Sequence, residues 1–253
     1  MIEDRAAGLN WPAVEDDLNG YGVARAGNVL RAEECRAVAE LYGDQVFRSR
    51  VIMGRHGFGR GEYRYFSYPL PAIVKGLREA LYVRLAPLAN RWNELLGLEP
   101  RYPQDHAAFL SRCRAAGQSL PTPLLLQYVA GDFNCLHQDV YGEHVFPLQA
   151  AVLLSEPGRD FEGGEFVVTE QRPRMQSRVE VLPLRQGDLA IFAVRDRPAK
   201  GARGTYRVKH RHGMSRLHSG RRHMLGIIFH DASAGACAKS DTVPAPDRRG
   251  HSV

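Results

Sequence analysis

Leu136-His137-Gln138-Asp139 places a histidine and a carboxylate two positions apart, and on an extended strand both side chains leave the same face. Side by side, an imidazole and a carboxylate make half of a metal site. A second histidine from far along the chain would complete a facial set of two histidines and one carboxylate. That donor set suits a redox-active iron and leaves the opposite coordination positions open. His212 is the candidate for the distal ligand.

A His-x-Asp triplet also occurs on ordinary solvated strands, so its weight comes from its neighbours. Upstream, Leu124-Leu125-Leu126-Gln127-Tyr128-Val129 is a strand-like apolar run that ends in the turn residues Ala130-Gly131-Asp132. Downstream come Gly163-Gly164-Glu165-Phe166, the turn Gly187-Asp188, and His212 followed by Gly220 and Arg222. His210 shares a strand face with His212, so parity does not separate them; the spacing to Gly220 and Arg222 favours His212. His144 is expected in a loop, and His218, His223 and His230 in structural or solvated roles.

The elements that must position these residues change type along the chain. Gly20-Tyr21-Gly22 reads as a turn, 32–42 as a helix closed by Gly43, and 48–68 as a Gly- and Arg-rich loop entering a short strand. Residues 69–98 carry Ile73, Leu77, Leu81, Leu85, Leu88 and Trp92 at helical spacing, with Pro87 predicting a kink or break, and 105–116 reads as a shorter helix. From residue 123 the period becomes two. Strands are expected at 124–129, 136–139, 148–154, 165–169, 179–183, 189–194, 206–212 and 223–230. No helical crossovers separate them, which predicts an α+β, mainly β fold: a jelly roll (double-stranded β-helix) core with N-terminal supporting helices.

At 253 residues and 44% hydrophobic, the chain suits a single catalytic domain: a helical support region over 1–120, the jelly-roll core over 121–232 and a flexible tail over 233–253. Cys35, Cys113, Cys135 and Cys237 form neither CxxC pairs nor zinc spacings, which points to free thiols in a reducing compartment. The N-terminus lacks a leader pattern and no apolar run reaches the length of about 18 residues that spans a membrane, so a soluble, cytoplasmic protein is expected. The formal charge is +6, yet residues 195–222 alone hold ten Lys or Arg against one acid, Asp196. Positive charge therefore gathers around the distal histidine and would favour an anionic co-substrate or a polyanionic substrate.

In type and order, Tyr128-x-x-Gly131, His137-x-Asp139, Gly163-Gly164-Glu165-Phe166, Gly187-Asp188-x-x-Ile191-Phe192 and His212 with Gly220 and Arg222 resemble the iron(II)/2-oxoglutarate-dependent dioxygenase superfamily. With Tyr65-Phe66-Ser67-Tyr68-Pro69-Leu70-Pro71 and the Arg172 to Arg178 stretch, the chain is similar to a bacterial family of such oxygenases labelled as acting on damaged nucleic acid. The resemblance implies Fe(II) held by His137, Asp139 and His212, with 2-oxoglutarate and O2 as co-substrates. It implies that Arg222, rather than its neighbour Arg221, grips the far carboxylate of 2-oxoglutarate, with Tyr128 beside it. An arginine fork suits that task because it meets a carboxylate through two parallel hydrogen bonds.

The interval from His212 to Arg222 resembles the prolyl 4-hydroxylase branch, whereas Tyr128 to Asp139 looks like the AlkB type. Two macromolecular substrates follow from these likenesses: an alkylated nucleic acid, single-stranded or damaged, with Tyr141 stacking on a base, or a proline-containing peptide or protein. A reading from another class is a non-catalytic jelly roll that binds nucleic acid through its basic segment. The Arg172 to Arg178 loop is either a substrate contact or a charged surface hairpin.

Overall fold

The hydrophobic period changes near residue 123, and there helices give way to sheet in the computed structural model, which describes residues 1–99, 101–202 and 204–235. The first part runs α1 (Ile2–Ala7), α2 (Trp11–Tyr21), β1 (Val23–Asn28), α3 (Ala32–Glu40), β2 (Phe47–Ile52), β3 (Gly59–Arg60), β4 (Glu62–Phe66), α4 (Ala72–Leu95) and α5 (His106–Ala115). The strands β5 (Gln118–Leu120), β6 (Leu124–Val129), β7 (Phe133–His137), β8 (Leu148–Leu153), β9 (Phe161–Gly163) and β10 (Phe166–Gln171) follow. The chain continues through β11 (Arg178–Leu182), β12 (Asp188–Ala193), β13 (Asp196–Gly201), β14 (Gly204–Met214), β15 (Leu217–Ile227) and β16 (Ala232–Ser233).

Two antiparallel sheets face each other. The larger has the order β1-β12-β8-β15-β6-β4-β2, with β9 also on β15; the smaller has the order β11-β10-β14-β7-β3, with β13 also on β14. Its alternation sorts the larger sheet's side chains into two cores. Leu148, Ala150, Val152, Leu189, Ile191, Leu225 and Ile227 point outward onto the helices, packing with Leu77, Leu81, Leu85 and Trp92 of α4. Ala151, Leu153, Ala190, Phe192 and Met224 point inward and meet Phe166, Val168 and Met214 of the smaller sheet. Both faces of β8 and β12 are thus buried, which is why they read as nearly unbroken apolar runs.

The sequence reading and the structure part company in several places. Residues 1–30, read as little more than a turn, form two helices and a strand, and β1 completes the larger sheet by pairing with β12. Pro87 does not break the element: α4 is one 24-residue helix that runs through it. Pro87 and Val83 are both exposed, so the carbonyl that loses its partner to the proline ring faces water while Leu85, Leu88, Ala89 and Trp92 stay buried. The 136–139 strand ends at His137, leaving Asp139 just past it. Gly220 lies within β15 at φ 78°, where its α-carbon comes so close to the chain at β9 that an added Cβ would stand 2.1 Å from the Asp160 carbonyl oxygen. Of the expected tail, Ser233 extends β16 and pairs with Gln118 of β5, and 236–253 with Cys237 lies outside the described residues.

Candidate active site

His137 and His212 sit directly opposite one another on the paired strands β7 and β14, and their rings lie 4.2 Å apart between centroids. Asp139 closes the group, with Oδ1 3.5 Å from His137 Nε2 and Oδ2 3.5 Å from His212 Nε2. One ligand atom from each of the three falls within 4.8 Å of the others. His137 Nδ1 lies 2.9 Å from the Cys135 carbonyl oxygen, so that nitrogen carries a proton and donates it, and Nε2 is the nitrogen that faces Asp139. Phe192 and Phe166 flank the His212 ring at 4.5 and 6.1 Å, which fixes its plane.

Hydrogen bonds from neighbouring side chains hold the carboxylate and its segment in place. Tyr141 donates its hydroxyl to Asp139 Oδ1 at 2.6 Å and receives a hydrogen bond from the Tyr65 hydroxyl at 3.2 Å. Gln138 Nε2 donates to the His210 carbonyl at 2.7 Å and pins the segment to β14. Burial alone would push the Asp139 carboxyl up, but the two imidazoles beside it outweigh that and hold it well below the usual range. Two imidazoles and one ionised carboxylate, with one tautomer already selected, fit a divalent iron with three open positions.

Arg222 supplies the other half of the site. Its residue is 1% exposed, its Nε and Nη1 have no hydrogen-bond partner, and Nη2 reaches only the Met224 sulfur at 3.2 Å. Among the described residues no carboxylate pairs with it, and burial lowers its pKa to about 10. The guanidinium lies 6.0 Å from the Tyr128 ring, on the residue directly opposite in β6, and 5.7 Å from Phe161. A side chain at Gly164 would come 3.3 Å from Arg222 Cδ and 2.6 Å from Leu217 Cδ1, so this glycine keeps the arginine's place open. A buried guanidinium with unpaired nitrogens on a cavity wall has the chemistry to bind a carboxylate. Arg221 is exposed on the opposite face and takes no part.

A family described as "Oxygenase, catalysing oxidative methylation of damaged DNA" matches residues 61–232. The chain belongs to that family. Uncharacterised proteins of two Mycobacterium tuberculosis strains are 43% identical over 208 residues, which is 82% of this chain and 84% of theirs. An oxidoreductase of the 2OG-Fe(II) oxygenase family from Burkholderia pseudomallei shares the fold at TM-score 0.50 and 16% identity, over 92% of this chain and 93% of its own. A Trichoplax adhaerens prolyl hydroxylase, in complex with a peptide fragment of the hypoxia-inducible factor oxygen degradation domain, does so at TM-score 0.51 and 13% identity, over 89% and 90%. The oxygenase therefore shares its jelly-roll fold with a 2OG-Fe(II) oxygenase, and its His-Asp-His group is a set that could hold a metal ion.

In the oxygenase, all five residues singled out in the sequence line one cavity of about 340 Å³: His137, Asp139, His212, Tyr128 and Arg222. The rivals lie elsewhere. His210 is fully buried with its Nε2 taken by Arg197 Nε at 3.3 Å; His144 is in a loop; His230 Nδ1 accepts from the Phe146 N–H. The basic segment divides by strand parity: Arg207, Lys209 and Arg211 of β14 are exposed while Val208, His210 and His212 are buried. Arg197 is buried too, paired with Glu170. Apart from Arg222, the positive charge near the distal ligand thus faces solvent or, in Arg197, is paired with Glu170.

Other cavity residues escaped the sequence reading. Tyr63 and Tyr65, on one face of β4, meet edge to face at 5.4 Å and form a wall with Tyr141. Their i, i+2 spacing was the available signal, hidden in a stretch read mostly as loop. Gln149 also lines the cavity, 4% exposed, and its Oε1 has no partner. A buried acceptor left unmade costs about 1–3 kcal/mol, so its retention calls for a ligand. The signal was a lone glutamine inside the apolar run Leu148–Leu153.

Proposed function

We propose that the oxygenase hydroxylates N-linked alkyl carbons on damaged nucleic-acid bases, and that it works as one catalytic domain in the cytoplasm. One observation carries the catalytic part: a His-Asp-His group and an unpaired buried guanidinium share a single cavity. His137, Asp139 and His212 would hold the iron, and Arg222 with Tyr128 would hold the far carboxylate of 2-oxoglutarate. When bound, iron and 2-oxoglutarate supply, with O2, the oxidising power to hydroxylate an unactivated C–H bond.

Each remaining task falls to this chain. The Cys135 carbonyl and the Tyr141 hydroxyl orient two of the three ligands before metal arrives. Phe166, Phe192, Met214 and Met224 give the cavity an apolar lining that keeps water from the reacting groups. One oxygen atom of O2 ends in succinate, formed with CO2, and the other in the new C–OH. On a base nitrogen, the resulting N-hydroxymethyl group breaks its C–N bond, gives formaldehyde and returns a proton to the nitrogen.

The nucleic-acid assignment is supported by the family description and by the exposed row Arg207, Lys209 and Arg211, which suits a phosphate backbone. The test has two stages. Without O2, adding Fe(II) and 2-oxoglutarate should produce the visible charge-transfer band of the chelate. With O2, single-stranded oligonucleotides bearing a methylated base should stimulate succinate and formaldehyde release, and proline-containing peptides should not. Stimulation by the peptides alone would transfer the substrate to protein. With the dioxygenase class set by the family, the reading as a non-catalytic binding module is left without support.

A further inference from the structure

Gln149 is a polar residue in a place built for apolar ones. Every residue of β8 is buried, and Leu148, Ala150 and Val152 face the helices, so Gln149 shares the inner face with Ala151 and Leu153. Its amide oxygen has no partner, and an amide oxygen can only accept. At neutral pH, 2-oxoglutarate also offers only acceptors and cannot satisfy it.

Position points the same way. On β15, Met224 lies opposite Leu153 and Ile227 opposite Ala150, which puts Gln149 at the end of β8 away from Arg222. Across the other edge, Gln149 pairs with Phe192, whose ring touches His212. The carboxamide therefore belongs to the metal-proximal, substrate side of the cavity, along with the walls formed by Tyr65 and Tyr141. Aromatic walls suit a flat ring. A prolyl ring is not flat and its nitrogen carries no hydrogen, so it meets neither demand.

Building on the reading above, we infer that Gln149 reads the substrate base: its Oε1 accepts a hydrogen bond from an exocyclic amino group. The oxygenase should therefore act on methylated bases that carry an amino group, such as 1-methyladenine or 3-methylcytosine, and discriminate against 3-methylthymine, which has only carbonyls at those positions. A site built around a buried hydrogen bond rejects the analogue that lacks it, because its own polar group is left unpaired.

The test compares wild type with Gln149→Met, which keeps length without the amide, using single-stranded DNA oligonucleotides with one 1-methyladenine or one 3-methylthymine. Formaldehyde release gives kcat/KM, fluorescence anisotropy under anaerobic Fe(II) and 2-oxoglutarate gives affinity, and the chelate band reports an intact site. The expected result is a wild-type preference for 1-methyladenine of at least about tenfold in both readouts, lost in Gln149→Met with its chelate band unchanged.

A preference that survives the substitution, or no preference in wild type, overturns the inference and leaves the proposed function standing. So does a variant that needs more 2-oxoglutarate to form the band, since Gln149 would then serve the co-substrate. Wild type that forms the band yet turns over no methylated base, or only proline peptides, overturns both. Should Gln149→Met form no band, Gln149→Glu, which keeps an acceptor, is compared on the same two oligonucleotides, and equal turnover of both overturns the inference.

Discussion

At the scale of single residues, the active site is held by atoms whose roles are already assigned before any ligand binds. The Cys135 carbonyl selects the His137 tautomer, and Tyr141 occupies one lone pair of Asp139 Oδ1. Asp139→Ala should abolish both the chelate band and turnover. Tyr141→Phe keeps the ring but frees Asp139; Fe(II) affinity, read by anaerobic titration of that band, should fall about 10–100-fold. Arg222→Ala should raise the 2-oxoglutarate concentration needed for the band at least about tenfold while leaving metal binding intact, with Arg222→Lys intermediate. His137, Asp139 and His212 could be picked from the sequence because few residue types ligate iron. Tyr141 stood out in the sequence only as an aromatic that could stack on a base; the bond from its hydroxyl to Asp139 is fixed by how the chain leaves β7.

At the scale of elements, buried polar ties set where the strands end. Arg78, in the middle of α4, donates from Nε to the Ile228 carbonyl at 2.8 Å and from Nη2 to Asp231 at 2.9 Å, with both charged residues essentially without exposure. Tyr68 also donates to Asp231, at 2.9 Å. Breaking this pair leaves a buried carboxylate and a buried carbonyl short of a donor. Arg78→Ala should lower stability by about 3–5 kcal/mol in urea unfolding, and Arg78→Met should cost no less, because Asp231 stays behind. The central strands were legible because burial on both faces writes itself as an unbroken apolar run. β1 and β2 were not: each lies at an edge of the larger sheet, and their pairing with β12 and β4 is non-local or interrupted by glycine-rich loop.

At the scale of the whole molecule, stability depends on keeping histidines neutral. Burial lowers the pKa of His106 and His230 to about 3 and of His210 and His223 to about 4. The unfolded chain binds protons near pH 6.5. Since the folded values lie lower, the stability is fully present above about 6.5 and is lost as pH falls toward 4, by up to about 1.4 kcal/mol per pH unit for each histidine. The urea midpoint should therefore drop between pH 7.5 and 5. His106→Gln, which can still donate to the Phe229 carbonyl, should flatten that slope.

Residue identity and order, by themselves, singled out a His-Asp-His set able to hold a metal, an arginine able to grip a carboxylate, and a mainly β scaffold to carry both. These depend on donor types and on a two-residue period, which are local properties. Only the tertiary structure decided which polar groups face inward without a partner. Arg222 Nε and Nη1 have no partner while Arg197, equally buried, is paired with Glu170; Gln149 Oε1 lacks a partner while Gln138 Nε2 has the His210 carbonyl. Whether a polar atom is satisfied depends on strands distant in sequence, and so is settled only when the two sheets close on each other.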